Sequence, residues 1–115
     1  MRISMRMAAL GLWVAVALAV SGNAARAQDV SIDVTVQDKQ FQPAELKAPA
    51  DKRIVIRVIN RDANPMEFES HALKVEKVVP GKSKGVVRIG PLKAGQYPFV
   101  GEYHESTAKG VIVVE

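Results

Sequence analysis

Residues 53–70 read RIVIRVINRDANPMEFES, and the fold class follows from how that stretch changes character along its length. The first eight residues are β-branched and almost continuously apolar, the pattern of a central strand covered on both faces. Asn60 to Pro65, NRDANP, is a dense cluster of turn formers. The chain then resumes with period-two alternation. In an extended backbone Met66, Phe68 and Ser70 leave one face, and Glu67 and Glu69 leave the other.

Working outward, the same grammar recurs. VSIDVTV, residues 30–36, puts Val30, Ile32, Val34 and Val36 on one face of a half-buried strand. FQPAELKAPADK, residues 41–52, holds a proline-interrupted edge segment around Glu45 to Ala48. Downstream come LKVEKVV, closed by Pro80-Gly81, then GVVRIGPL, QYPFVGEY and a terminal GVIVV. No helical periodicity of useful length appears after Ala27. Short strands with turn signals every 8–12 residues or so predict an all-β sandwich or barrel.

The amino terminus reads differently. Arg2 and Arg6 precede an apolar run, AALGLWVAVALAV, from Ala8 to Val20, and Ala25-Arg26-Ala27 follows. A basic start, a short apolar core and an A-x-A site predict a secretory signal peptide over residues 1–27, cleaved before Gln28, and hence a periplasmic protein. The apolar run is shorter than the roughly 20 residues a membrane span takes. Residues 28–115 would then form one domain.

The leader takes with it Arg2, Arg6 and Arg26, so of 16 basic residues 13 remain against 12 acidic ones. The basic balance belongs to the leader, and no basic stripe interleaved with aromatics points to nucleic acid. The chain has no cysteine, so an exported domain of this size must rely on its core instead of disulfides.

Two clusters hold polar residues that strand wetting alone does not call for. One is Glu67, Glu69 and His71, with Met66 beside them. The other lies in GEYHESTAKG, residues 101–110, with Glu102, His104 and Glu105, where Glu102 and His104 repeat the i, i+2 spacing of a shared strand face. Both histidines of the chain fall in these clusters, each next to glutamates. Like charges at i, i+2 repel unless a cation neutralises them. Carboxylate and imidazole suit Cu(II), iron, Mn(II) or Zn(II), whereas Cu(I) prefers sulfur. The plainer reading is the solvated side of two strands. Ser70 beside His71 has no nucleophile elbow around it, so no catalytic residue is expected.

These segments together resemble the cupredoxin fold. FQPAELKAPADKRIVIRVINRDANP resembles the step from a core strand into the first copper-ligand loop, and GPLKAGQYPFVGEYHESTAKGVIVVE the hairpin that holds the remaining ligands. The motifs Glu67-Phe68-Glu69-Ser70, Gly90-Pro91-Leu92-Lys93-Ala94-Gly95-Gln96-Tyr97 and Tyr103-His104-Glu105-Ser106-Thr107 resemble a cupredoxin-like group without the blue-copper cysteine. The resemblance covers nearly all of residues 29–115 and implies a Greek-key β-sandwich.

A blue-copper centre uses two histidines, a cysteine thiolate and a weak axial methionine. By the resemblance, the first histidine position holds Met66, the cysteine position Gly101, and the axial position falls near Ala108 or Lys109. His104 matches the second histidine. A thiolate-copper electron carrier is therefore excluded.

The resemblance extends to the cupredoxin-like component of bacterial iron-uptake systems, where a Glu-x-Glu pair joins a metal site. Glu67 and Glu69 match that pair, and Glu102 or His104 the ligand in the last hairpin; an early-strand ligand falls near Phe41, which cannot bind metal. What it implies is copper (as Cu2+), iron or both as the bound ion. Met66 and His71 are further candidate ligands. The implied partners are an inner-membrane iron permease and other periplasmic uptake components, the implied role is assistance in iron uptake, by accessory Fe(II) oxidation or by binding alone, and the expected state is a monomer or weak dimer. A copper-binding or copper-delivery protein and a metal-free interaction domain are the alternatives.

Overall fold

The computed structural model describes residues 29–115; the predicted leader and its cleavage site lie outside the described residues. Within these residues nine strands form two sheets. The strands are β1 (Val30–Gln37), β2 (Gln40–Gln42), β3 (Glu45–Ala48), β4 (Ile54–Asn60), β5 (Met66–Ser70), β6 (Val75–Val79), β7 (Lys84–Ile89), β8 (Gly95–Glu102) and β9 (Lys109–Val114). One sheet has the order β2-β1-β4-β7, the other β3-β9-β8-β5-β6. The described residues contain no helix. The all-β sandwich expected from the sequence is the observed fold.

Period-two alternation translates directly into burial. Along β1, Val34 and Val36 are buried while Ser31, Asp33 and Gln37 are exposed. The β-branched run becomes β4, central between β1 and β7, with Ile54, Ile56 and Val58 fully buried. The proline-interrupted segment becomes β3, at the edge of the second sheet and parallel to β9. β2 is the short strand that the alternation alone did not separate. It exists because Asp38 and Lys39, both left-handed (φ 53° and 56°), reverse the chain in two residues. The Asp62 carboxylate accepts hydrogen bonds from both of their amides, at 2.9 Å each.

Between the sheets Phe41, Phe68 and Phe99 form the centre of the core. Phe68 and Phe99 stack at 4.8 Å, and Phe41 meets both edge-on at 5.9 and 5.0 Å. Such aromatic pairs add about 0.5–1.5 kcal/mol each beyond their area burial. Phe41, near the early ligand position implied by the resemblance, is thus a core residue.

The turn cluster after β4 is clamped by a buried amide. Asn60 is 2 % exposed. Its Nδ2 donates to the carbonyls of Asn64 (2.8 Å), Val79 (3.2 Å) and Pro80 (3.3 Å), and its Oδ1 accepts from the Asp62 amide. Because Val79 ends β6, this one side chain ties the first sheet to the second and sets where β5 begins.

Candidate metal centre

β5 lies between β6 and β8, and its register decides which carboxylates meet. Glu67 pairs with Glu102 on β8 and with Val78 on β6, and Glu69 pairs with Val100 and Glu76. Met66, Phe68 and Ser70 share a face, as the alternation predicts, and that face turns into the sandwich, where each is buried. The glutamates remain on the outer face. A diagonal neighbour in an antiparallel pair lies close enough for long side chains to touch, so Glu76 also reaches Glu67. The ligand atoms of Glu67, Glu76 and Glu102 all lie within 4.8 Å of one another, the one such group among the described residues.

Glu76 was not singled out from the sequence. Its signal was present in the length of the connection between MEFES and VEKVV, which sets Glu69 opposite Glu76.

The electrostatics are those of crowded like charges. A hydrogen bond with the Glu102 carboxyl raises the Glu67 pKa above 4.5, helped by desolvation and by repulsion from Glu102, Glu76 and Glu69. Glu69 is also raised, chiefly by desolvation and by Glu102, with His71 pulling the other way. Glu69 is only 8 % exposed, unusual for a carboxylate on an outer sheet face. Among the described residues no lysine or arginine is ion-paired to Glu67, Glu69, Glu76 or Glu102; the two such ion pairs are Arg53–Asp29 and Arg57–Asp33.

The histidines fall outside the three-carboxylate group. His71 sits one residue beyond β5, with its side chain 85 % exposed and Nε2 3.5 Å from Glu69 Oε1. With Glu69, Ser70, Lys74, Val75 and Glu76 it borders a shallow pocket of about 310 Å³. The expected i, i+2 relation of Glu102 and His104 is not kept, because Tyr103 is left-handed (φ 69°) and ends the strand. His104 instead anchors the β8–β9 turn through its backbone. Its amide donates to the Gly101 carbonyl at 2.9 Å, and its carbonyl accepts from the amides of Ala108 (2.7 Å) and Thr107 (3.0 Å).

On the inner side, Met66, Gly101 and Ala108 converge. Met66 is 2 % and Ala108 0 % exposed. A Cβ placed on Gly101 would run into Met66 Sδ and stand 2.7 Å from Ala108 Cβ and 3.3 Å from Met66 Cε. The thioether therefore points away from the carboxylates, into the sandwich.

A family model described as cupredoxin-like domain matches residues 7–114. An uncharacterized protein of Rickettsia prowazekii (strain Madrid E) is 36% identical over 86 residues, 74% of this chain and 68% of its own length. Among solved structures, auracyanin A, a "blue" copper protein of Chloroflexus aurantiacus, aligns with TM-score 0.65 and 16% identity over 76% of this chain and 99% of its own. The metal-binding domain of a Cu(I)-exporting P-type ATPase of Streptococcus pneumoniae D39 gives TM-score 0.66 and 15% identity, covering 77% and 97%. These structural likenesses carry the fold. Thiolate-bound copper does not fit the residues present, since the chain has no cysteine and its converging interior positions carry a thioether and two small residues.

Proposed function

The chain belongs to the cupredoxin-like domain family, and from that premise we propose that it is a periplasmic metal-binding protein. It holds a di- or trivalent cation on Glu67, Glu76 and Glu102, with Glu69 and His71 beside them, and it assists iron uptake through an inner-membrane permease. The observation that supports this is the meeting of three carboxylates from three neighbouring strands within 4.8 Å, with no basic side chain ion-paired to them among the described residues. Oxygen ligands of this kind favour hard cations, Fe(III) over Fe(II), and accept Cu(II) but not Cu(I). Iron is the cargo here. The permease and the iron-uptake role rest on the resemblance of Glu67-Phe68-Glu69-Ser70 to the Glu-x-Glu pair of the cupredoxin-like component of bacterial iron-uptake systems.

The test is iron accumulation by cells that lack this gene. Restoring the gene should restore uptake of radiolabelled iron, and the Glu67→Gln/Glu102→Gln variant, expressed to the same level, should restore little. Equal uptake with and without the gene would refute the iron role while leaving metal binding to be judged on the protein itself.

The second reading, a copper-binding protein unrelated to iron, draws on the structural neighbours, several of which are described as copper proteins. Preference for Cu(II) over iron in vitro, with unimpaired iron uptake in the deletion strain, would favour it.

A further inference from the structure

Met66, Gly101 and Ala108 converge on the inner side of the sheet, which the carboxylate site does not use. By the resemblance Met66 and Gly101 stand at two of the four positions from which a blue-copper protein holds its ion, and the axial position falls near Ala108 or Lys109. Here Met66, Gly101 and Ala108 are buried, and they touch. Adding one carbon to Gly101 would drive it into Met66 Sδ, with Ala108 Cβ 2.7 Å away on another side. The surrounding backbone is satisfied within the turn: the Gly101 amide donates to the Ala108 carbonyl at 2.8 Å, and the Ala108 amide to the His104 carbonyl at 2.7 Å. Among the described residues no buried side-chain nitrogen or oxygen lacks a partner, so no polar group waits there for an ion.

We infer that the Met66 side chain closes the interior metal position of the fold, so that Met66 is a packing residue and not a ligand. The closure has two causes in the sequence. Glycine at 101 removes the side chain that would reach inward, and the flexible thioether fills the vacated volume, a use to which methionine is well suited. The consequence is chemical. A thioether would be the soft ligand for Cu(I), yet this one is enclosed by core atoms and turned from the glutamates. On the reading proposed above, which this consequence rests on, any cation is confined to the outer sheet face, where the exposed Glu76 leaves it open to exchange. That suits a cargo holder better than a shielded electron-transfer centre. The closure itself stands independently of whether the carboxylates bind.

Two measurements on the full chain test it. The first is a double-mutant cycle, read as thermal midpoint, which isolates the contact between two side chains. Gly101→Ala should lower the midpoint by several degrees. In the Met66→Ala background, where the thioether no longer occupies the space and only the contact with Ala108 Cβ remains, the same change should lower it less. Equal losses in both backgrounds would overturn the closure. The second measurement is competition for Cu(I) against a chromophoric Cu(I) chelator. Met66→Leu, which keeps the volume and removes the sulfur, should leave Cu(I) retention unchanged. A tenfold or greater loss of retention in Met66→Leu would make Met66 a ligand and overturn the inference, whatever Glu67 and Glu102 do.

Discussion

Glu67 carries the tension of the site. It shares a hydrogen bond with Glu102 and faces Glu76, so its carboxyl holds a proton more tightly in the folded protein than at the ordinary value of 4.5. Glu69 is raised in the same direction. A carboxyl whose folded pKa is raised binds more protons folded than unfolded, and stability then falls as pH rises. The fall begins near the unfolded value of about 4.5 and ends above the raised folded values of Glu67 and Glu69. In chelator-treated protein the urea midpoint should therefore decline from mildly acid pH toward neutrality. In Glu67→Gln/Glu69→Gln that decline should flatten, because the amides do not titrate. A cation has the opposite effect, since it binds the ionised carboxylates and its grip should weaken as the pH falls. The plain single substitution Glu67→Gln should cost cation affinity at least tenfold while leaving the metal-free protein as stable or more so at pH 7. A wild-type urea midpoint that rose toward neutral pH would contradict this picture of the carboxylates.

Strands, unlike single residues, were largely legible in the sequence. The alternation in VSIDVTV and the β-branched run RIVIRVIN led to β1 and β4, and MEFES put Met66 and Glu67 on opposite faces, because side-chain direction has a period of two; that Met66 is the inward one came from the structure. The pairing partners were not legible in the same way. Glu76 joins the carboxylates only because β6 meets β5 in one register, and register is a long-range choice set by the buried face and the turn. His104 shows the converse. Its spacing from Glu102 suggested a shared face, and one left-handed residue, Tyr103, undid it. Ser70 illustrates a smaller case. Pro98 has no amide to offer β5, and Ser70 Oγ donates to the Pro98 carbonyl at 2.8 Å where the regular β5–β8 pairing has already ended. Loss of this bond in Ser70→Ala should cost about 1 kcal/mol, the usual net value of one hydrogen bond. Asn60→Ala should cost more, about 3 kcal/mol, because it strands buried carbonyls and the Asp62 amide at the junction of β4 and β6. Urea unfolding of both variants checks the order; a Ser70→Ala loss exceeding that of Asn60→Ala would reverse it.

At the scale of the whole molecule the sandwich separates two jobs. The interior is sealed by the three phenylalanines and, at the end near the β8–β9 turn, by Met66 against Gly101. The ionisable chemistry lies outside, on β5, β6 and β8. A protein built this way has a core closed by its own side chains, and on the function proposed above its carboxylates would take up and release an ion at the surface. The most direct test of that claim is calorimetric titration of the full chain at pH 7 with Cu(II), Fe(II), Zn(II) and citrate-chelated Fe(III), set beside Glu67→Gln/Glu102→Gln. The account predicts one equivalent of at least one of these cations bound by the parent protein and lost, by tenfold or more in affinity, in the variant. Binding of equal affinity in both proteins, or no binding by the parent, would contradict it.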